Sequence, residues 1–157
     1  MDTETLQILS RLIATGRVSS LGTLRNGAPF VSMVLYAPSS DYSSFLLHVS
    51  RLAVHTKDIL ADPRVSLMIC EADLTGGDPQ TLPRVTLQGE AGEIQKSTPE
   101  YQAARALYLA RFPASEVTFG LGDFGLFSVR PHSGRFVAGF AQAYNITVED
   151  LKRASAI

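Results

Sequence analysis

Apolar residues recur at helical spacing over residues 3–15, where Leu6, Leu9, Leu12 and Ile13 form one stripe. The spacing predicts an amphipathic helix with Gly16 as its C′ residue. The period then shortens, and residues 17–24 and 29–36 read as paired strands around Asn26-Gly27. That dipeptide tolerates the positive φ that a two-residue hairpin turn demands at both positions. Pro29 fits only the start of its strand, where a missing donor costs least. The nearly continuous apolar run at 31–36 suits a strand covered on both faces. Residues 37–44 are polar and turn-forming, and read as a long exposed hairpin loop.

From residue 45 the pattern runs strand, turn, helix, turn, strand. Residues 45–49 are apolar, and Ser50 then suits a helix N-cap, its hydroxyl accepting from a free backbone N–H. Leu52, Thr56, Ile59 and Leu60 make a core-facing stripe, and Asp62-Pro63 ends the helix. Residues 64–70 resume as a strand, with Cys70 expected as a small buried hydrophobe. Residues 71–82, holding Gly76-Gly77-Asp78-Pro79, form a loop long enough to move or to cover something. Residues 84–94 send Val85, Leu87, Gly89 and Ala91 to one side, as in a half-buried strand, with Gly89 and Gly92 inviting a bulge.

A second long helix starts at Ser97-Thr98-Pro99-Glu100. Either Ser97 caps it with Glu100 closing a capping box, or Thr98 caps it with Pro99 at the first position. Tyr101, Ala104, Leu107 and Tyr108 are its stripe, and Phe112-Pro113 ends it. Residues 124–130 and 135–140 read as two strands joined at Pro131-His132-Ser133-Gly134. Thr147 with Asp150 opens a last short helix. Many short strands with helices spaced between them predict a β-rich α+β fold, a closed or nearly closed antiparallel barrel of about six strands with peripheral helices.

The 157 residues are most simply one domain, 1–157, with a core large enough to need no metal or disulfide. A net charge of -1 gives no electrostatic footprint for nucleic acid or an anionic membrane, so a basic site has to be local. The single cysteine is compatible with a reducing compartment. No secretory pattern opens the chain and no apolar run approaches a membrane span, so a cytoplasmic protein is expected.

A local basic site is present on the helix after residue 50. Ser50, Val54 and Lys57 lie away from its apolar stripe, and the helix N-terminus carries partial positive charge and free N–H groups. Hydroxyls at Ser50 and Thr56 with cations at Arg51 and Lys57 could complete an anion site suited to phosphate. A capped surface helix with solvated charges is the ordinary alternative.

The order of Leu21-Gly22-Thr23-Leu24, Pro29-Phe30-Val31-Ser32, Ser50-Arg51-Leu52-Ala53 with His55-Thr56-Lys57, Asp62-Pro63-Arg64-Val65-Ser66-Leu67, Pro83-Arg84-Val85-Thr86-Leu87-Gln88-Gly89, Gly122-Asp123-Phe124 and Gly139-Phe140 resembles one superfamily. It is the FMN-binding split barrel of pyridoxamine 5'-phosphate oxidase-like proteins, and within it the haem-utilisation branch. The resemblance implies a Greek-key split barrel and a homodimer with one FMN at each of two subunit-interface sites. It places the FMN phosphate on Ser50, His55, Thr56 and Lys57, and lays the backbone of Ser32, Met33 and Val34 along the isoalloxazine ring.

Arg84 and Gln88, four apart on one strand, share a face, and could bond a flavin's pyrimidine ring or ribityl chain, or simply face water. Phe140 could stack on the ring from the second subunit, or be an ordinary core or interface phenylalanine. The resemblance implies a flavin-dependent oxidoreductase acting on a small molecule, the flavin carrying the chemistry. No residue stands out as catalytic acid or base. The alternatives are a haem-binding or haem-degrading split barrel and a non-catalytic flavin carrier or sensor. Longer members of the branch continue into a further C-terminal domain where this chain stops soon after Leu151. Ala138-Gly139-Phe140-Ala141 also stands where the branch favours more glycine. No Arg-x-His pair near the C-terminus suits pyridoxamine phosphate oxidation itself.

The remaining signals are weak. Gly120-x-Gly122-x-x-Gly125 matches a dinucleotide fingerprint, but strand-like residues follow it where a helix is required. His48, His55 and His132 fit no zinc spacing, and any of them is a haem ligand only as an outside reading. Asn145-Ile146-Thr147 is a sequon without the export signal that would make it meaningful. No nucleophile elbow supports a hydrolase.

Overall fold

The computed structural model describes residues 1–74 and 76–157. Its elements are α1 Thr3–Thr15, β1 Val18–Arg25, β2 Ala28–Leu35, β3 Ala37–Pro38, β4 Phe45–Ser50, α2 Val54–Ala61, β5 Arg64–Cys70, β6 Arg84–Glu93, α3 Pro99–Arg111, α4 Glu116–Phe119, β7 Phe124–Gly139, β8 Gln142–Ile146 and α5 Val148–Ser155. The strands form one antiparallel sheet in the order β2-β1-β5-β6-β7-β4-β3, with β8 added to β7. It curls into a split barrel with the helices outside, as the pattern of short strands predicts. Among the described residues, β3 and β8 raise the strand number to eight.

Local chemistry sets most boundaries. Asp2 caps α1 by accepting from the Thr5 N–H at 2.8 Å. Asn26 and Gly27 both have positive φ, which makes the β1–β2 hairpin tight. Thr98 caps α3 with Pro99 behind it, deciding between the two starts open from sequence. Thr147 and Asp150 close a capping box on α5. Gly16 is not the left-handed residue expected, since its φ is -62°. Its lack of a side chain instead leaves room for the Tyr36 hydroxyl, which donates to Ile13 O at 2.8 Å.

The segment read as two strands with a turn at 131–134 is one 16-residue strand. Each stretch of β7 has partners. Residues 124–129 pair with β4, 127–137 with β6, and 134–139 with β8. Pro131 is tolerated because a bulge between Gln88 and Gly89 shifts the register there. A Cβ on Gly89 would meet the Arg130 carbonyl oxygen, and would lie 2.9 Å from Pro131 Cα. These are backbone atoms that cannot swing away. Gly89→Ala is therefore expected to cost about 3 kcal/mol, the upper range for overpacking, read as a fall in the urea midpoint.

Inside the barrel, Leu21, Phe45, Leu47, Leu67, Ile69, Val85, Leu87, Phe127, Val129 and Phe136 are buried, and α1 and α5 add Leu9, Ile13, Leu151 and Ala154. A second cluster, Leu46, Ile94, Tyr101, Tyr108, Phe112 and Leu126, seats α3 on the outside of β4 and β7. The outer face of β2, β1 and β5 has no such cover. Val31 and Met33 are 66% and 69% exposed, and Val18, Leu35 and Met68 are exposed beside them. The run at 31–36 is therefore covered on one face only within a single chain, with Val34 and Tyr36 buried. Cys70 also lies exposed rather than buried. Among the described residues, no helix is long and apolar enough to cross a membrane.

Candidate functional site

The candidate site begins where β4 hands over to α2. The helix starts three residues later than the sequence reading, with Ala53 in the N-cap position and no side-chain cap. Ser50 forms a turn ahead of it, its Oγ accepting from the Leu52 N–H at 3.1 Å and donating to Asp123 Oδ2 at 2.5 Å. The Arg51 N–H donates to the Asp123 carbonyl at 2.7 Å, and its guanidinium pairs with Glu93. Leu52 and Leu60, expected in the stripe, are exposed. The buried face is Thr56, Asp58 and Ile59. A buried aspartate in the middle of a helix was not foreseen. Asp58 accepts from Thr23 Oγ1 at 2.9 Å and from Arg25 Nε at 3.4 Å, and so ties α2 to β1.

Four predicted phosphate ligands thus have unequal standing. Ser50's only hydroxyl hydrogen is spent on Asp123. Thr56 is fully buried, its Oγ1 without a hydrogen-bond partner. His55 is half-buried, and burial lowers its pKa against the opposing pull of Asp58, so the ring is neutral at pH 7. Lys57 stays exposed at the surface.

The flavin-ring candidates lie on the sheet. Met33 points outward from β2, and Val34 is buried on the opposite face with Ser32 between them in exposure. Arg84 and Gln88 share the outer face of β6, as their spacing requires. Arg84 is held by the carbonyls of Gln80 and Leu82 at 3.1 and 3.0 Å. Phe140, 73% exposed at the tip of the β7–β8 hairpin, lines with Arg84 a cleft of about 470 Å³. β2 and β6 are separated by β1 and β5, about 14 Å at ordinary strand spacing. One chain therefore packs α2 against β1 and β2, the strand that carries Ser32–Val34. It also brings Arg84 near Phe140, but it keeps the two groups apart.

His48 is the most perturbed histidine. It lies on β4 two residues before Ser50, stacked on Phe119 with ring centroids 3.7 Å apart and edge-on to Tyr108. Burial, helped by the nearby Lys96 and Arg105 charges, lowers its pKa to about 4. Thr118 Oγ1 spends its hydrogen on Ser115 O at 2.8 Å. Its 3.3 Å contact with His48 Nδ1 is therefore a bond donated by the ring, and Nε2 is left buried without a partner. Nothing in the one-dimensional pattern pointed to this cage or to Glu93, and Asp123 stood out only as part of the Gly122-Asp123-Phe124 resemblance.

The comparisons bear on the cofactor. Residues 7–138 match the family model described as Pyridoxamine 5'-phosphate oxidase. A non-canonical heme oxygenase of Arabidopsis thaliana chloroplasts is 40% identical over 132 residues, 82% of this chain and 38% of that protein. The heme oxygenase HutZ of Vibrio cholerae is 30% identical over 129 residues, 80% of this chain and 70% of its own length. Among solved structures, a heme binding protein from Mycobacterium smegmatis superposes with a TM-score of 0.85 at 28% identity, covering 98% of this chain and 62% of that one. The chain thus spans well under half of the plant relative.

These relatives overturn the expectation of an FMN-dependent oxidoreductase, because all three are named for haem. At the head of α2, Ser50 is bound to Asp123 and Arg51 to Glu93, while the buried Thr56 hydroxyl is unpartnered and Lys57 is exposed.

Proposed function

This chain belongs to the pyridoxamine 5'-phosphate oxidase family, and from that premise we propose that it binds haem at a seam between two copies of itself, and degrades it there in the manner of the heme oxygenases it resembles. The observation that carries the reading is the bare apolar wall of Val18, Val31, Met33, Leu35 and Met68. A porphyrin is a large apolar plate with two carboxylates at one edge. It asks for a flat apolar wall and a few cations, whereas FMN asks for a phosphate cradle as well.

The wall supplies the first requirement, and Lys57, with Arg84 across the sheet, supplies the second. Pairing two copies through this face covers the wall and brings the Ser32–Val34 region of one chain toward the Arg84 and Phe140 group of the other. Neutral His55 offers a nitrogen beside the same helix head. When bound, haem supplies the iron at which oxygen is activated. The chain's own task is to hold the plate, neutralise its carboxylates and shed water from the seam.

Titrating the purified chain with hemin tests this. Saturable growth of the Soret band at one haem per chain or per pair is expected, followed by its loss on adding a reductant in air. A chain that leaves the hemin spectrum unchanged removes the proposal.

A further inference from the structure

The resemblance implies a phosphate cradle at the head of α2, and the residues present disagree with it. Ser50 Oγ reaches Asp123 Oδ2 at 2.5 Å, and the Asp123 carbonyl takes the Arg51 N–H at 2.7 Å. Glu93 takes the Arg51 guanidinium. The two carboxylates thus offset the charges of Arg51 and Lys57, and the site is close to neutral. The first turn of α2 still has no side-chain cap, and the wholly buried Thr56 hydroxyl there has no partner. An anion can still be received at this turn, but only one that tolerates Asp123 as its neighbour. A phosphomonoester carries nearly two negative charges at neutral pH. A carboxylate carries one, and so meets about half the repulsion from Asp123.

We propose that Asp123 is the specificity-determining residue of this site: its carboxylate, latched on Ser50, turns away phosphomonoesters such as FMN and leaves the α2 head to a singly charged carboxylate. The inference deepens the haem reading, in which that carboxylate is a haem propionate. Asp123 reaches the ligand through charge, and its bonds to Ser50 and Arg51 hold it in place. Asp123→Asn keeps the size and the acceptor for Ser50 while deleting the charge, so the fold is retained. Asp123→Glu keeps the charge.

The test titrates native, Asp123→Asn and Asp123→Glu proteins with FMN, followed by flavin fluorescence, and with hemin, followed by the Soret band. Asp123→Asn is expected to bind FMN about tenfold more tightly than the native chain, as removal of one like charge at short range implies. Its hemin affinity is expected to stay within about threefold, and Asp123→Glu to match the native chain for FMN. FMN binding unchanged in Asp123→Asn, or FMN and hemin rising together, overturns the inference. Failure of every protein to take hemin removes the haem reading instead, and the FMN comparison still decides the role of Asp123.

Discussion

On the pairing proposed above, the native chain is expected to sediment as a dimer and a Met33→Glu variant as a monomer that has lost most of its hemin affinity. Met33 sits mid-strand on β2, flanked on the same face by Val31 and Leu35, and opposite Ser20 of β1. Ser20 in turn lies opposite Met68 of β5, so the row crosses three strands. Soluble monomers rarely leave so continuous an apolar face bare. Covering a methionine stabilises by about 1.5–3 kcal/mol. In a two-fold interface each substitution acts twice, and each introduced carboxylate would have to be taken out of water among apolar side chains. A dissociation constant raised by about a hundredfold or more follows, since 1.4 kcal/mol is a factor of ten. Sedimentation velocity of both proteins reads this directly. Ile157→Glu, exposed on the last residue, is a control expected to pair normally. A native chain that is monomeric at tens of micromolar, or a Met33→Glu chain that still pairs, would sink the seam.

The second large effect is on pH. The folded pKa of His48 is about 4 against an ordinary 6.5, held down by burial first and by Lys96 and Arg105 after it. Between these two values the unfolded chain takes up a proton that the folded chain refuses. Stability therefore falls as pH drops from about 6.5 to about 4 and is unaffected by this group above 6.5. The full difference amounts to about 3 kcal/mol. His48→Phe keeps a flat ring for Phe119 to stack on and removes both the titration and the unpartnered Nε2. Urea unfolding at pH 7, 5.5 and 4.5 is expected to show the native chain losing about 2.4 kcal/mol more than the variant by the lowest of these pH values. Equal acid sensitivity in the two proteins would mean that His48 titrates normally.

Several features were legible in the sequence because they are local. The α1 stripe, the Asn26-Gly27 hairpin, the Thr98-Pro99 start and the Thr147–Asp150 box each need only a few neighbouring residues. Each is realised in the structure. Pro131-His132-Ser133-Gly134 reads as a turn by the same local logic, and there the logic fails. Strand pairing on both sides of β7 and a bulge opposite Gly89 hold it extended. The α2 stripe holds only in part for a related reason: Thr56 and Ile59 are buried as their period implies, but Leu52 and Leu60 are exposed, and Thr23 and Arg25, more than thirty residues away, bring Asp58 to the buried face.

By itself, then, the chain's pattern determined a curled antiparallel sheet with outer helices, and placed hydroxyls and cations at the start of α2, because periodicity and capping act over a few residues. Only the tertiary structure decided which of those groups remain available. Asp123 lies 73 residues from Ser50 in sequence, and Glu93 lies 42 from Arg51. Their carboxylates arrive through the pairing of β7 with β4 and β6. A hydroxyl has one hydrogen to donate and a cation is offset by the nearest anion, so the fold's choice of neighbours, made across the sheet, settles what the helix head can receive.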